Sequence, residues 1–332
     1  MLLIISRHND LSTQDVINWL LYYGAKVCVL NEVNYIEDIV IEIKDTYLKF
    51  LLKTSKKEYI DLTEVKGVWF RRGEILFSRR YKVEVINNKK TSQYKDHIIN
   101  FCKEEVEGIK EFIYQYLYDT CQCLGRPHTN RLNKLFLLHV AKKIGVSIPD
   151  TYVTSNIDLD KKVLHHYNFI KPIQEGIFYF IDKTKEDLKM LNKRVQAKLI
   201  PYSYSFPTLF QNEIKKQFEI RSFYLNKHFY SIAIFSQRHK KSIYDFRDYS
   251  FDDENYMRPF KLPNILEKKL SEIMNYIKLN TGSIDLIYSN TGEYYFLEVN
   301  PVGQFGFVST YGGYDLEKKI AKILLSYEKR KN

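Results

Sequence analysis

The sequence predicts an α/β protein, and three features of the chain predict it. Residues 2–30 read strand, helix, strand, the pattern of a parallel layer covered by helices. A long segment with helical period occupies about Tyr94 to Tyr118. Near the C-terminus, two alternating runs flank a tight turn, the signature of a hairpin.

Leu2–Ser6 is apolar and stops at Arg7-His8-Asn9-Asp10, so it reads as the first strand. Ser12 offers a helix N-cap with Asp15 three residues on, and the helix runs to about Tyr23 before Gly24 stops it. Lys26–Leu30 is the second strand; Ile39–Ile43, Tyr47–Leu52 and Val68–Phe70 follow. The long helix is apolar at Ile98, Ile99, Phe101, Cys102, Val106, Ile109, Phe112, Ile113 and Tyr116. Gly125-Arg126-Pro127 breaks the pattern and sets a first boundary. A helix from about Asn130 to Ile144 ends at Gly145, and strands follow at Thr151–Val153, Tyr167–Ile170 and Gly176–Ile181, with a helix start at Thr184 and Asp187. Pro201–Pro207 is the second boundary. Beyond it come strands at Leu209–Ile214, Glu219–Leu225 and Phe229–Ser236, a polar loop over Gln237–Arg258, and a helix over about Ile265–Leu279. The hairpin Ser283–Tyr288 with Tyr294–Val299 and a helix near Tyr314–Tyr327 complete the pattern. The boundaries divide the chain into residues 1–124, 125–206 and 207–332.

Composition narrows the function classes. Lys+Arg is 51 against 40 Asp+Glu, so the net charge is +11 and the partner is expected to be anionic. The basic residues are dispersed without a basic block, which disfavours a nucleic-acid tail. Tyr (27) and Phe (21) are abundant, and aromatic–basic mixing can serve single strands, but aromatics in a core are the commoner case. Val299–Tyr314 lacks charge but carries Gly, Asn, Gln and Ser, so it does not suit a bilayer. The N-terminus has no basic segment ahead of its apolar run, and we read it as a strand of a cytoplasmic protein. Cys121 and Cys123 form a C-x-C with no second pair, so reduced thiols are expected and zinc is not.

The hairpin carries the chemistry. A two-residue turn at Thr291-Gly292 within Asn290–Glu293 places Asp285 directly opposite Glu298, with Asn300 on the face of Glu298. Two opposed carboxylates are unfavourable unless a cation lies between them, and few hard oxygen ligands suit Mg²⁺; the alternative is an exposed hairpin with ordinary surface acids. Lys171 ends the run Tyr167-Asn168-Phe169-Ile170-Lys171 before Pro172, where its ammonium can serve phosphates as a point charge. Lys134 falls in the first turn of its helix, where an anion also gains from the helix dipole; singly, either lysine is ordinary surface chemistry. Gln211-Asn212-Glu213-Ile214 reads as a strand leaving its sheet, whose backbone groups can meet an adenine edge.

The pieces together resemble an ATP-grasp enzyme, in the branch holding ribosomal-protein glutamate ligase and the graspetide (ω-ester peptide) synthetases. The resemblance rests on the Lys134 helix, Phe169-Ile170-Lys171-Pro172, Phe210-Gln211-Asn212-Glu213-Ile214, Glu219-Ile220-Arg221, Asp285-Leu286 and Phe296-Leu297-Glu298-Val299-Asn300-Pro301, in that order over about residues 125–305. Val68-Trp69-Phe70-Arg71-Arg72 resembles the Trp-x-Arg-Arg segment of graspetide synthetases, and Tyr244-Asp245-Phe246-Arg247 their Asp-Trp-Arg; both favour a peptide maturase, of a kind like grasp-with-spasm enzymes. The resemblance implies an N-terminal pre-ATP-grasp domain, a central domain and a C-terminal ATP-grasp domain, with ATP and two Mg²⁺ as cofactors. It implies Lys134 and Lys171 on the phosphates, Gln211, Asn212, Glu213 and Ile214 on the adenine, and Glu219 on the ribose. It implies Asp285, Glu298 and Asn300 on Mg²⁺, Arg221 and Arg238 on the transferring phosphoryl group, and Arg71, Arg72, Asp245 and Arg247 toward the peptide. One departure stands out: the loop after Lys171-Pro172 reads Ile173-Gln174-Glu175-Gly176-Ile177, with one glycine where the family carries a glycine-rich lid.

The activity so implied phosphorylates an Asp or Glu side chain of a ribosomal precursor peptide, leader plus acidic core, and closes an ω-ester with Ser or Thr or an ω-amide with Lys. Eight basic residues between Lys215 and Arg247, against Glu219 and Asp245, could attract such a core. The alternatives are a ligase adding free amino acids to a protein or peptide, a basic nucleic-acid-binding protein, and a regulatory protein that binds ATP without turnover. The sequence leaves a homodimer, ring number and ring order open.

Overall fold

The computed structural model describes residues 1–78, 94–127, 132–155, 169–171, 173, 193–194, 207–236 and 256–329. The expected strand at Gly176–Ile181, the helix start at Thr184 and nearly all of the Gln237–Arg258 loop lie outside these residues. The chain forms two compact units, Met1–Pro127 with Asp315–Asn332, and His128–Tyr314.

In the first unit, β1 (Leu2–Ile5), α1 (Leu11–Tyr22) and β2 (Val27–Leu30) form the expected parallel β-α-β opening. α1 is capped by Asp10 rather than Ser12: the Asp10 carboxylate accepts from the Thr13 backbone N–H, and Asp10 has extended dihedrals. β3 (Ile36–Lys44), β4 (Tyr47–Thr54) and β5 (Tyr59–Asp61) make an antiparallel meander. β6 (Gly67–Phe70) returns to the other side of β1, and β7 (Gln122–Leu124) pairs parallel with β6 after the long α2 (Lys95–Thr120). The order is β2-β1-β6-β7. The Cys121-x-Cys123 pair belongs to the entry of a strand; the Cys121 thiol donates to the Val65 carbonyl and Cys123 to that of Leu117. None of the four cysteines is in a disulfide. Leu3, Ile5, Phe50, Leu52, Val68, Ile113 and Leu117 share the core. The last helix, α6 (Leu316–Lys329), packs on α1 and β6 of this unit, whereas the sequence reading assigned 207–332 to one segment.

The second unit holds two antiparallel sheets. α3 (Lys134–Ile144) starts four residues later than expected, because Asn133 is the cap and accepts from Phe136 N–H at 3.1 Å. β8 (Thr151–Thr154), β9 (Phe169–Lys171), β10 (Lys193–Arg194) and β11 (Thr208–Gln211) form a sheet in the order β10-β9-β11-β8. β12 (Lys216–Leu225), β13 (His228–Phe235), β14 (Tyr256–Phe260), β15 (Thr281–Ser289) and β16 (Tyr294–Asn300) form the other, in the order β14-β13-β12-β15-β16. β14 includes Tyr256–Arg258, which the sequence reading placed in a loop; its Pro259 is tolerated because the strand is at the sheet edge.

α4 (Asn264–Tyr276) and α3 cover one face of this sheet. Leu137, Leu138 and Ala141 of α3, with Leu266, Leu270 and Ile273 of α4, bury against Ile220, Leu286, Phe296 and Val299. Leu270 is fully buried there, so truncation to Ala costs about 2–5 kcal/mol. The short α5 (Gly306–Gly312), absent from the sequence reading, lies over part of the opposite face, where Phe305 meets Phe223. Apolar packing on the first face leaves the alternate residues of β12, β15 and β16 to carry polar groups on the second.

Candidate active site

The hairpin register positions the site. The turn is one residue wider than expected: Ser289 N–H donates to Glu293 O, and Gly292 N–H donates to Ser289 O. Asn290, Thr291 and Gly292 form the loop, and Gly292 sits at φ 84°, a left-handed conformation that favours glycine. The register next to the turn pairs Tyr288 with Tyr294 and Leu286 with Phe296. A bulge at Leu297 then shifts it by one, so that Asp285 faces Glu298 and Ser283 faces Asn300. The expected Asp285–Glu298 pair is therefore present, although the turn alone would not have produced it.

β12 extends the row. Arg221 is the cross-strand neighbour of Asp285, on the side away from Glu298. Its Nε lies 2.5 Å from Asp285 Oδ1. At the other end, Lys134 reaches Glu298 Oε2 at 2.9 Å from the first turn of α3. The row across the sheet is thus Arg221, Asp285, Glu298, Lys134: two carboxylates flanked by two cations. This answers the repulsion between opposed acids. The Arg221 guanidinium also lies over the Phe307 ring at 5.7 Å.

The donor set suits a hard cation. Asp285, Glu298 and Asn300 offer only oxygen, and two carboxylates with one amide leave positions for water and phosphate, as Mg²⁺ requires. The loop after β16 fixes Asn300: Val302 N–H donates to its Oδ1 and Gly303 N–H to its backbone oxygen, each at 3.1 Å. Gly303 has no room for a side chain, since a Cβ there would lie 2.4 Å from Ser283 Cβ.

Lys171 closes β9, paired with Leu209 of β11, and is half-buried. Ile173, two residues on, accepts from Lys134 N–H at 3.3 Å; the rest of the Ile173–Ile177 loop lies outside the described residues. Gln211 ends β11 buried, its amide donating to Thr151 Oγ1 at 3.0 Å, and Asn212 N–H donates to Asp150 O at 3.1 Å. Glu213 and Ile214 form the connector into β12, so the expected strand over Leu209–Ile214 stops at Gln211. Glu219 shares the polar face with Arg221 and pairs with Lys216. Arg238, Asp245 and Arg247 lie outside the described residues.

Arg71 and Arg72 belong to the first unit, at the end of β6. The Arg71 side chain is 4% exposed and its Nε lies 3.3 Å from Asp10 Oδ2; Arg72 Nε lies 3.6 Å from the same oxygen. Burial lowers the Arg71 pKa to about 10, Asp10 opposes that fall, and Arg72 adds to it.

Sequence reasoning missed Lys216 and Ser236, both of which contact Glu219. Lys216 has the parity of Phe218 and Ile220, so strand alternation assigns it to the apolar face. Of the eight basic residues between Lys215 and Arg247 that the sequence offers to an acidic core peptide, Lys216 and Arg221 are held in ion pairs with Glu219 and Asp285.

This architecture is the ATP-grasp fold. The chain is similar to the macrocyclase MdnC of Microcystis aeruginosa MRC, solved bound with precursor peptide MdnA, at 24% identity over 98% of this chain and 99% of that one, with a TM-score of 0.73. It is similar to a Chryseobacterium gregarium RiPP-associated ATP-grasp ligase, solved with ADP and a leader and core peptide, at 22% identity over 98% and 96%, with a TM-score of 0.75. The ATP-grasp ligase PsnB, solved with a minimal precursor, Mg and ADP, matches at 12% identity over 99% and 98%, with a TM-score of 0.68. No family model matches the chain, and no curated protein does. No described helix is long and apolar enough to cross a membrane.

Proposed function

We propose that the protein is an ATP-dependent peptide macrocyclase. It phosphorylates an Asp or Glu side chain of a ribosomal precursor peptide and closes an ω-ester or ω-amide, releasing ADP and phosphate. The observation that carries this reading is the Arg221–Asp285–Glu298–Lys134 row on one face of a sheet in an ATP-grasp fold. The similar structures with bound precursor peptide, ADP and Mg support the same reading.

In this reading Asp285, Glu298 and Asn300 would hold Mg²⁺, which when bound would offset the charge of the phosphates. Lys134 and Lys171 hold the β- and γ-phosphates as point charges. Gln211 to Ile214 receive the adenine and Glu219 the ribose. Arg221, with Arg238, neutralises charge on the phosphoryl group in flight, so that catalysis is mainly positioning and electrostatics. A peptide carboxylate oxygen forms a bond to the γ-phosphorus as the bond to the ADP oxygen breaks. A Ser or Thr hydroxyl, or a Lys amine, then attacks the acyl carbon, and phosphate leaves with the electron pair of the broken C–O bond. The nucleophile gives up one proton to the phosphate or to solvent. Water must be kept out, since it hydrolyses the acyl phosphate. Arg72, Asp245 and Arg247 would face the peptide, whereas Arg71, expected there with them, is buried against Asp10 and would act by holding that segment. The unbridged thiols suit a reducing compartment, and we place the enzyme in the cytoplasm.

The test is incubation with Mg²⁺, ATP and an acidic candidate precursor peptide. A macrocyclase removes the mass of one water per bond and releases one ADP per bond. A product heavier by an amino-acid residue would mark the ligase alternative instead, and ATP left intact would refute both.

A further inference from the structure

The second irregularity of the sheet carries an inference of its own. β12 and β15 pair regularly from Leu225–Thr281 to Phe218–Tyr288, and then slip: Lys216, not Gln217, faces Ser289. Gln217 is the extra residue of a bulge. In an unbroken strand Lys216 would share the face of Phe218 and Ile220, which pack in the apolar core. The bulge turns Lys216 to the other face, onto Glu219 three residues later. Regular strand geometry sends residues at that spacing to opposite faces.

The contact so made is well covered. The side chains of Lys216 and Glu219 are 8% and 13% exposed. Ser236, fully buried at the end of β13, also donates to Glu219 Oε1, at 3.3 Å. Two donors from two elements converge on one carboxylate oxygen. An exposed pair of this kind would be worth little, and a bulge to make it would have no use. Glu219 lies two residues from Arg221, on the face that carries the row of charges, and one element from the Gln211–Ile214 connector.

We propose that Lys216 is a positioning residue for nucleotide specificity: with Ser236 it holds the Glu219 carboxylate as an oriented acceptor for the ribose hydroxyls, so that the site takes ribonucleotides over 2′-deoxyribonucleotides. The inference rests on the nucleotide reading of the site given above. A carboxylate accepts and does not donate, so its ligand must bring hydrogen-bond donors, and the adjacent hydroxyls of a ribose do so. A sugar lacking one hydroxyl leaves the fixed carboxylate short of a partner in a covered site.

The experiment compares binding of ATP and 2′-deoxy-ATP, each with Mg²⁺, by calorimetry on the full chain. Wild type should bind ATP about tenfold more tightly, the worth of a hydrogen bond to a charged group. Lys216→Met should bring the ratio close to one by weakening ATP alone, Lys216→Arg should restore most of it, and Ser236→Ala should fall between. A merely structural lysine would weaken both nucleotides alike and leave the ratio intact, which would overturn the proposal, as would a wild type that binds both equally. Should Lys216→Met fail to fold, the Arg and Ser236→Ala ratios decide the matter. A wild type that binds neither nucleotide would instead bring down the nucleotide reading itself.

Discussion

Replacing Glu298 with Gln should separate folding from function. In the wild type Glu298 faces Asp285 across the hairpin and meets Lys134 at 2.9 Å. At an effective dielectric of ~20 that contact is worth about 6 kcal/mol of gross attraction. The partners are 15% and 27% exposed, and desolvation with side-chain ordering reduces the net to about 1 kcal/mol. Removing the charge also relieves the opposition to Asp285, by about 0.2–1 kcal/mol. The two nearly cancel, so the melting temperature should move by no more than about 2–4 °C. Turnover has no such compensation. Loss of one anionic Mg²⁺ ligand, and with it of electrostatic stabilisation at the reacting phosphates, should lower the rate by about 10²–10³-fold. Far-UV melting and a coupled ADP assay with the precursor peptide read the two effects. Wild-type turnover in the variant would refute the metal assignment; a collapse in melting would refute the charge-balance argument.

Three further outcomes follow from the geometry. Gly303→Ala places a Cβ 2.4 Å from Ser283 Cβ and 3.1 Å from Asn300 O, so it should cost about 1–3 kcal/mol and weaken Mg²⁺–nucleotide binding; adding Ser283→Gly should recover much of both in calorimetry. Asp10→Ala removes the cap of α1 and the partner of buried Arg71, so the first unit should lose about 3–5 kcal/mol in urea unfolding, and a loss under 1 kcal/mol would contradict the pairing. Burial pushes the Cys28 and Cys123 thiols and the Tyr114 hydroxyl up to about 12, so the folded chain holds these protons more tightly than the unfolded one. Their contribution is complete below the ordinary values of 9.0 and 10.0 and is lost as pH rises toward 12. Both tryptophans, Trp19 and Trp69, lie in the first unit, so its melting by tryptophan fluorescence should stay level near neutral pH and fall above pH 9.0.

Much of this arrangement is legible in the sequence, and the misses have physical causes. The β-α-β opening and the amphipathic helices are periodic, and periodicity survives translation into structure. The Asp285–Glu298 pairing emerged from two errors that cancel: the turn holds three residues, not two, and Leu297 bulges. Alternation cannot reveal a bulge, because a bulge is the place where alternation fails. Lys216 was lost for the same reason. Ser12 is a plausible cap on sequence, but which of two capping residues two positions apart starts the helix depends on backbone dihedrals; Asp10 also serves Arg71 from another strand, a long-range contact. β14 carries a proline and its first residues continue a polar, charged run, so they read as loop until the pairing with β13 is seen. Lys134 and Arg221 were both expected at phosphates; that each rests on a carboxylate of the hairpin is a fact of three dimensions.

The central claim is that a peptide carboxylate is activated by phosphorylation. Labelling the Asp and Glu carboxylates of the precursor with oxygen-18 tests it directly. After turnover, inorganic phosphate should carry one labelled oxygen for each bond formed, because the oxygen that attacked phosphorus departs with it. Phosphate free of label, with rings nonetheless closed, would contradict the mechanism.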